Sequence, residues 1–144
     1  MRSLLDTNFL IALADSKHIF HSRAQTWLAD HAGDGWASCP LTENAFIRIL
    51  SHPGYASDLR YSISGLAAWF SEFIAKTNHE FWPDKISLLD ENLFEFERIY
   101  GPRRLTDIYL LALAAENGGR LVTFDRANSL SAARRAESEN LVVV

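Results

Sequence analysis

The sequence predicts an α/β fold: a parallel sheet covered by helices on both faces. Three observations carry that expectation. Short apolar runs alternate along the chain with stretches whose apolar residues recur every three or four positions. The short runs are apolar on both sides, as strands buried between two layers of helices are. At 144 residues, 48% of them hydrophobic, the chain suits one core, and residues 1–144 read as a single domain.

Leu4-Leu5 is the first strand and ends at Asp6, after which Phe9 to Ala14 starts a buried helix with Asn8 as its cap. Residues 22–31, with Ala24, Trp27, Leu28 and His31 on one side, form an amphipathic helix that Gly33-Asp34-Gly35 stops. Residues 36–39 fit a second strand. Pro40-Leu41-Thr42 opens a helix capped by Thr42, with Ala45, Phe46, Ile49 and Leu50 inward and His52-Pro53-Gly54 at its end. Residues 62–76 repeat the helical pattern through Leu66, Trp69, Phe70, Phe73 and Ile74. A turn at residues 81–84 leads to a strand at residues 86–89, and a helix over residues 90–100 is broken by Gly101-Pro102. Thr106 caps the next helix, whose stripe is Ile108, Leu111, Leu113 and Ala115 and whose stop is Gly118-Gly119. A strand at 121–124, a short helix at 129–137 and a strand at 141–144 complete the chain. No repeat, low-complexity tract or linker interrupts it.

Composition removes several functions. No apolar run reaches the roughly 18 to 20 residues of a membrane span, and the N-terminus lacks a signal peptide's basic start and cleavage site. A cytoplasmic protein without membrane association is expected. Its one cysteine, Cys39, forms no internal disulfide and reads as a buried thiol. The formal net charge of -4 argues against a broad nucleic-acid-binding face. With four acids set aside as metal ligands the remainder is balanced, and Arg103-Arg104, Arg126 and Arg134-Arg135 form local basic patches.

Those four acids are Asp6, Glu43, Asp107 and Asp125. Asp6 and Asp125 hang from the carboxyl ends of strands, where open parallel sheets bind their ligands. Glu43 and Asp107 each follow a threonine and lie in a first helical turn, where the macrodipole favours negative charge. Each has an ordinary reading as a turn or first-turn residue. Together, at one edge, they would repel one another, and keeping them ionised calls for a hard cation such as Mg²⁺ or Mn²⁺.

Four segments carry a resemblance: Leu4-Leu5-Asp6-Thr7-Asn8, Leu41-Thr42-Glu43-Asn44, Arg104-Leu105-Thr106-Asp107-Ile108-Tyr109 and Leu121-Val122-Thr123-Phe124-Asp125-Arg126. In this order the chain resembles the PIN-domain ribonucleases, in particular the VapC-type toxins of type II toxin-antitoxin pairs, over essentially its whole length. The resemblance implies a three-layer α/β/α sandwich with a central, mainly parallel sheet. It implies an endoribonuclease dependent on Mg²⁺ or Mn²⁺, acting on an RNA substrate, blocked by a cognate VapB-type antitoxin, and homodimeric. By position, Asp6, Glu43, Asp107 and Asp125 match the family's catalytic acids, with Asp6 and Asp107 those most consistently tied to metal. Thr7 departs from the aliphatic residue often found after the first aspartate. Asn8 and Thr123 flank the acids as supports for a carboxylate or water, or as simple cap and strand residues. Arg103, Arg104 and Arg126 are candidates for RNA phosphates.

The five histidines show no zinc-motif spacing and read as surface or packing residues. Trp27, Trp69, Phe70, Phe73 and Trp82 have the spacing of core or partner-facing residues more than of base-stacking ones. Two other functions compete. A catalytically silent PIN-like module binding RNA or protein would be favoured by a missing acid, and none is missing. A phosphoacceptor or phosphatase of similar layout would need an acid two residues after Asp6 or a late lysine, but Asn8 stands there and no lysine follows Lys85.

Overall fold

The computed structural model describes residues 1–56 and 60–144. Among them, five parallel strands form one sheet: β1 Ser3–Leu5, β2 Trp36–Ser38, β3 His79–Phe81, β4 Arg120–Thr123 and β5 Leu141–Val143. Their order in space is β3-β2-β1-β4-β5. The helices are α1 Thr7–Ala14, α2 His21–Asp30, α3 Pro40–Leu50, α4 Ile63–Lys76 and α5 Leu105–Glu116. None is long and apolar enough to cross a membrane.

Successive strand residues point to opposite faces, so the sheet separates two cores. Leu4, Ala37 and Leu121 pack with α5, through Leu110, Leu111 and Leu113. Leu5, Trp36 and Val122 pack with α1 to α4, through Phe9, Leu10, Phe46 and Phe70. Right-handed crossovers account for this division. The steps from β1 through β2 to β3 run one way and lay α1 to α4 on one face. The step from β3 to β4 returns past β1 and lays α5 on the other. The winding reverses between β1 and β4, whose carboxyl ends therefore open onto a crevice.

Several local expectations are corrected. Asp6, not Asn8, caps α1, its carboxylate accepting the Thr7 N–H. Helix α3 begins before Thr42, because Pro40 is preorganised for a first helical position. Cys39 is its cap residue, and Thr42 Oγ1 accepts the Cys39 N–H at 3.0 Å. A 3₁₀ turn, Pro102–Arg104, runs directly into α5, so Thr106 lies inside the helix and Arg104 at its cap. The third strand is His79–Phe81 rather than residues 86–89, which form turns. A polar, half-exposed edge strand lacks the apolar signature of a central one.

The helices expected over 90–100 and 129–137 reduce to short 3₁₀ turns, Phe96–Arg98 and Leu130–Ala132. Each segment supplies the other's hydrogen bonds. Glu95 N–H donates to the Ala132 carbonyl at 3.0 Å, and Arg134 N–H to the Leu93 carbonyl at 2.9 Å. Asp90 Oδ1 also accepts the Asn92 N–H at 2.9 Å, closing a turn that competes with a helix start.

Candidate active site

Asp6 is the last residue before α1 and is fixed on all sides. Its Oδ1 accepts the Thr7 N–H at 2.7 Å; its Oδ2 accepts Thr123 Oγ1–H at 2.6 Å and Asn8 Nδ2–H at 3.0 Å. Thr123, buried at the end of β4, also accepts from Asn8 Nδ2 at 2.9 Å and from the Asp125 N–H at 3.0 Å. Asn8 Oδ1 in turn accepts the Phe124 N–H at 3.2 Å. Asn8 and Thr123 thus tie the ends of β1 and β4 together and hold one carboxylate between them.

Asp125 follows β4, and its Oδ1 accepts the Ala127 N–H at 2.8 Å. Asp107 arrives from the first turn of α5. Arg104 Nη1 lies 3.0 Å from Asp125 and 3.7 Å from Asp107, a single cation between two acids. That charge is insufficient. Burial, then the charges of Asp6 and Asp125, push the Asp107 carboxyl up to about 6 despite Arg104. Burial likewise raises the Asp6 carboxyl, with Asp125 adding to it, against the hydrogen bonds from Thr123, Thr7 and Asn8.

Glu43 stands apart. Ser38 Oγ donates to its Oε1 at 2.6 Å, and His79 Nε2 lies 2.8 Å from the same hydroxyl oxygen. With the hydroxyl proton directed at Glu43, the imidazole serves as donor. Burial and the charge of Arg2 hold that imidazole below its ordinary value, so it is neutral at pH 7. No hydrogen bond or ion pair links Glu43 to the three aspartates among the described residues. Arg103 and Arg126 are exposed beside the cleft. Cys39 is buried and its thiol is pushed up by that burial, which leaves it inert.

A PIN domain matches residues 3–135. The chain is also 39% identical to ribonuclease VapC44 of Mycobacterium tuberculosis over 144 residues, the whole of both chains. The chain belongs to the VapC-type PIN-domain family. Ribonuclease VapC39 of the same organism is 40% identical over 135 residues, 92% of this chain and 94% of its own. In fold, the chain is similar to the crystal structure of VapBC2 from Rickettsia felis bound to a DNA fragment from their promoter. That match has a TM-score of 0.57 at 13% identity, over 87% of this chain and 89% of the other.

The donor set of this VapC-type cleft fits a hard divalent cation. Oxygen ligands are what Mg²⁺ and Mn²⁺ take, and Asp6 and Asp107 are raised first by burial and then by neighbouring carboxylates, a cost that a cation bound between them would relieve. Among the described residues, no three His, Cys, Asp or Glu side chains are already drawn together as a ready metal cage. Ser38 and His79 escaped the sequence reading. Alternation with Trp36 places Ser38 on its face of β2, but its partner His79 lies on the strand that went unrecognised.

Proposed function

We propose that this protein is a divalent-metal-dependent endoribonuclease and the toxin of a type II toxin-antitoxin pair, held inactive by a VapB-type antitoxin. The observation that carries the reading is the convergence of Asp6, Asp107 and Asp125 on the crevice between β1 and β4, where Arg104 is shared between Asp107 and Asp125. Relatives named as VapC ribonucleases over full length support it. Homodimerisation is part of the same reading.

Asp6 and Asp107 would hold Mg²⁺ or Mn²⁺, and Asp125 and Glu43 would complete the site or orient the attacking water. When bound, the cation would supply Lewis acidity toward the scissile phosphate and favour deprotonation of the attacking water. Thr123 and Asn8 keep the Asp6 carboxylate from rotating, so its lone pairs are preorganised. Arg103, Arg104 and Arg126 counter the phosphate charges of the RNA as it enters a cleft that would otherwise repel it. No side-chain nucleophile is required.

The test compares wild type, Asp6→Ala and Asp107→Ala on pooled cellular RNA, with Mg²⁺ or with a chelator. Cutting is expected only from wild type with Mg²⁺, and cutting that survives both substitutions would sink the reading. Glu43's separate hydrogen bonding is the one feature favouring a catalytically silent PIN-like module. Folded wild type that binds Mg²⁺ and cuts nothing would support that alternative.

A further inference from the structure

Beside the acidic cleft lies a cavity of about 100 Å³, room for a few water molecules rather than for a drug-sized ligand. Its polar lining is Arg98, Tyr100, Arg104, Asn128, Ser129 and Ser131. No carboxylate lines it, and Ile108, Ala127 and Ala132 complete its wall. Arg104 is the shared wall: the guanidinium that reaches Asp125 and Asp107 also bounds the cavity. Arg98 pairs with Glu95 at 3.2 Å, but Glu95 is divided with Arg134 at 3.6 Å. One carboxylate is therefore shared between two guanidinium groups, so Arg98 does not have Glu95 to itself. Ser129 Oγ donates to Ser131 Oγ at 3.0 Å, which leaves the Ser131 proton for a ligand.

Guanidinium, amide and hydroxyl donors around a space of this size match a tetrahedral oxyanion. We infer that the cavity seats a phosphate of the RNA backbone neighbouring the one that is cut, with Arg98 and Arg104 as counter-charges and Ser131 and Asn128 as neutral donors. The inference rests on the endoribonuclease reading above and adds Arg98, which lies apart from the acids. Such a contact fixes the register of the strand across the cleft and reads no base.

The test measures binding of a fluorescein-labelled, mixed-sequence single-stranded RNA by anisotropy, with Ca²⁺ in place of Mg²⁺, over a salt series. Wild type, Arg98→Ala and Arg98→Lys are compared, alongside cleavage of cellular RNA with Mg²⁺. Arg98→Ala should weaken binding about tenfold, as loss of a charged hydrogen bond does. It should also flatten the dependence of log Kd on log salt by about 0.7, the share of one phosphate contact on a single strand. Arg98→Lys should keep the slope. The melting temperature should not move, because Arg98 is exposed and Glu95 keeps Arg134 as a partner.

Unchanged affinity and slope in Arg98→Ala, with wild type still cutting RNA, overturns the subsite and leaves the enzyme reading intact. A loss that depends on RNA sequence at constant slope overturns it in favour of a base contact. Retained RNA binding with lost binding of a Glu-rich peptide overturns it in favour of a protein-docking site. Wild type that neither binds nor cuts RNA overturns the enzyme reading and the subsite together.

Discussion

Asp6 accepts three hydrogen bonds and starts α1, whereas the Asp107 carboxylate accepts none among the described residues and meets only Arg104, at 3.7 Å. The two acids therefore answer substitution in opposite ways. Asp107 binds its proton more tightly when folded, near 6, than its ordinary value of 3.8. The cost of its charge is absent below 3.8, grows as pH rises toward 6 and is complete above it. Discounted for its partial exposure, that cost is about 1 kcal/mol. Asp107→Asn should abolish cleavage yet raise the metal-free melting temperature at pH 7.5 by about 3 °C, a gain that shrinks toward pH 4. Asp6→Ala should abolish cleavage and cost about 2 kcal/mol, because the α1 cap is lost and the buried Thr123 hydroxyl loses its acceptor. Equal melting temperatures for the two variants at pH 7.5 would contradict this account.

At the scale of elements, the chain is closely packed where α5 hands over to β4. A Cβ on Gly119 would stand 2.6 Å from Trp82 and 2.7 Å from the Arg2 carbonyl, whose hydrogen bond to Arg120 N–H opens the β1-β4 ladder. Gly118 has φ +65 but open space around it. Gly119→Ala should cost about 1 to 3 kcal/mol, through displaced backbone, and Gly118→Ala about 1 kcal/mol, through conformational strain alone. Urea midpoints rank the two. The elements read correctly from sequence are those whose signal is local: β1, β2, β4 and β5 with their apolar runs, and α1 to α5 with their helical apolar patterns. The misread ones owe their form to distant partners. Residues 90–100 and 129–137 exchange backbone hydrogen bonds across about forty positions, and the edge strand His79–Phe81 is too polar to announce itself. The capping error at Thr42 has a clear cause, since threonine serves as well inside a first turn as before it.

For the molecule as a whole, the acidic cleft links ligand binding to folding. A cation that binds only the folded state at about one hundred times its Kd adds about 2.7 kcal/mol, so saturating Mn²⁺ should raise the melting temperature by several degrees over chelator. Asp107→Asn should lose most of that rise, and an unchanged melting temperature in wild type would count against a metal in this cleft. The positions of Asp6, Asp107 and Asp125 were legible because each borders an apolar element. The partners that fix them were not, since Thr123 and Asp6 meet across 117 positions. That separation bears on synthesis of the chain. The central strand β1 is made before β4, and its clamp and its β4 neighbour come more than a hundred residues later. Until then the cleft does not exist, and such long-range pairing is slow to form. A nascent chain thus lacks the cleft until β4 is made, and chains truncated after residue 119 should neither fold nor cut RNA.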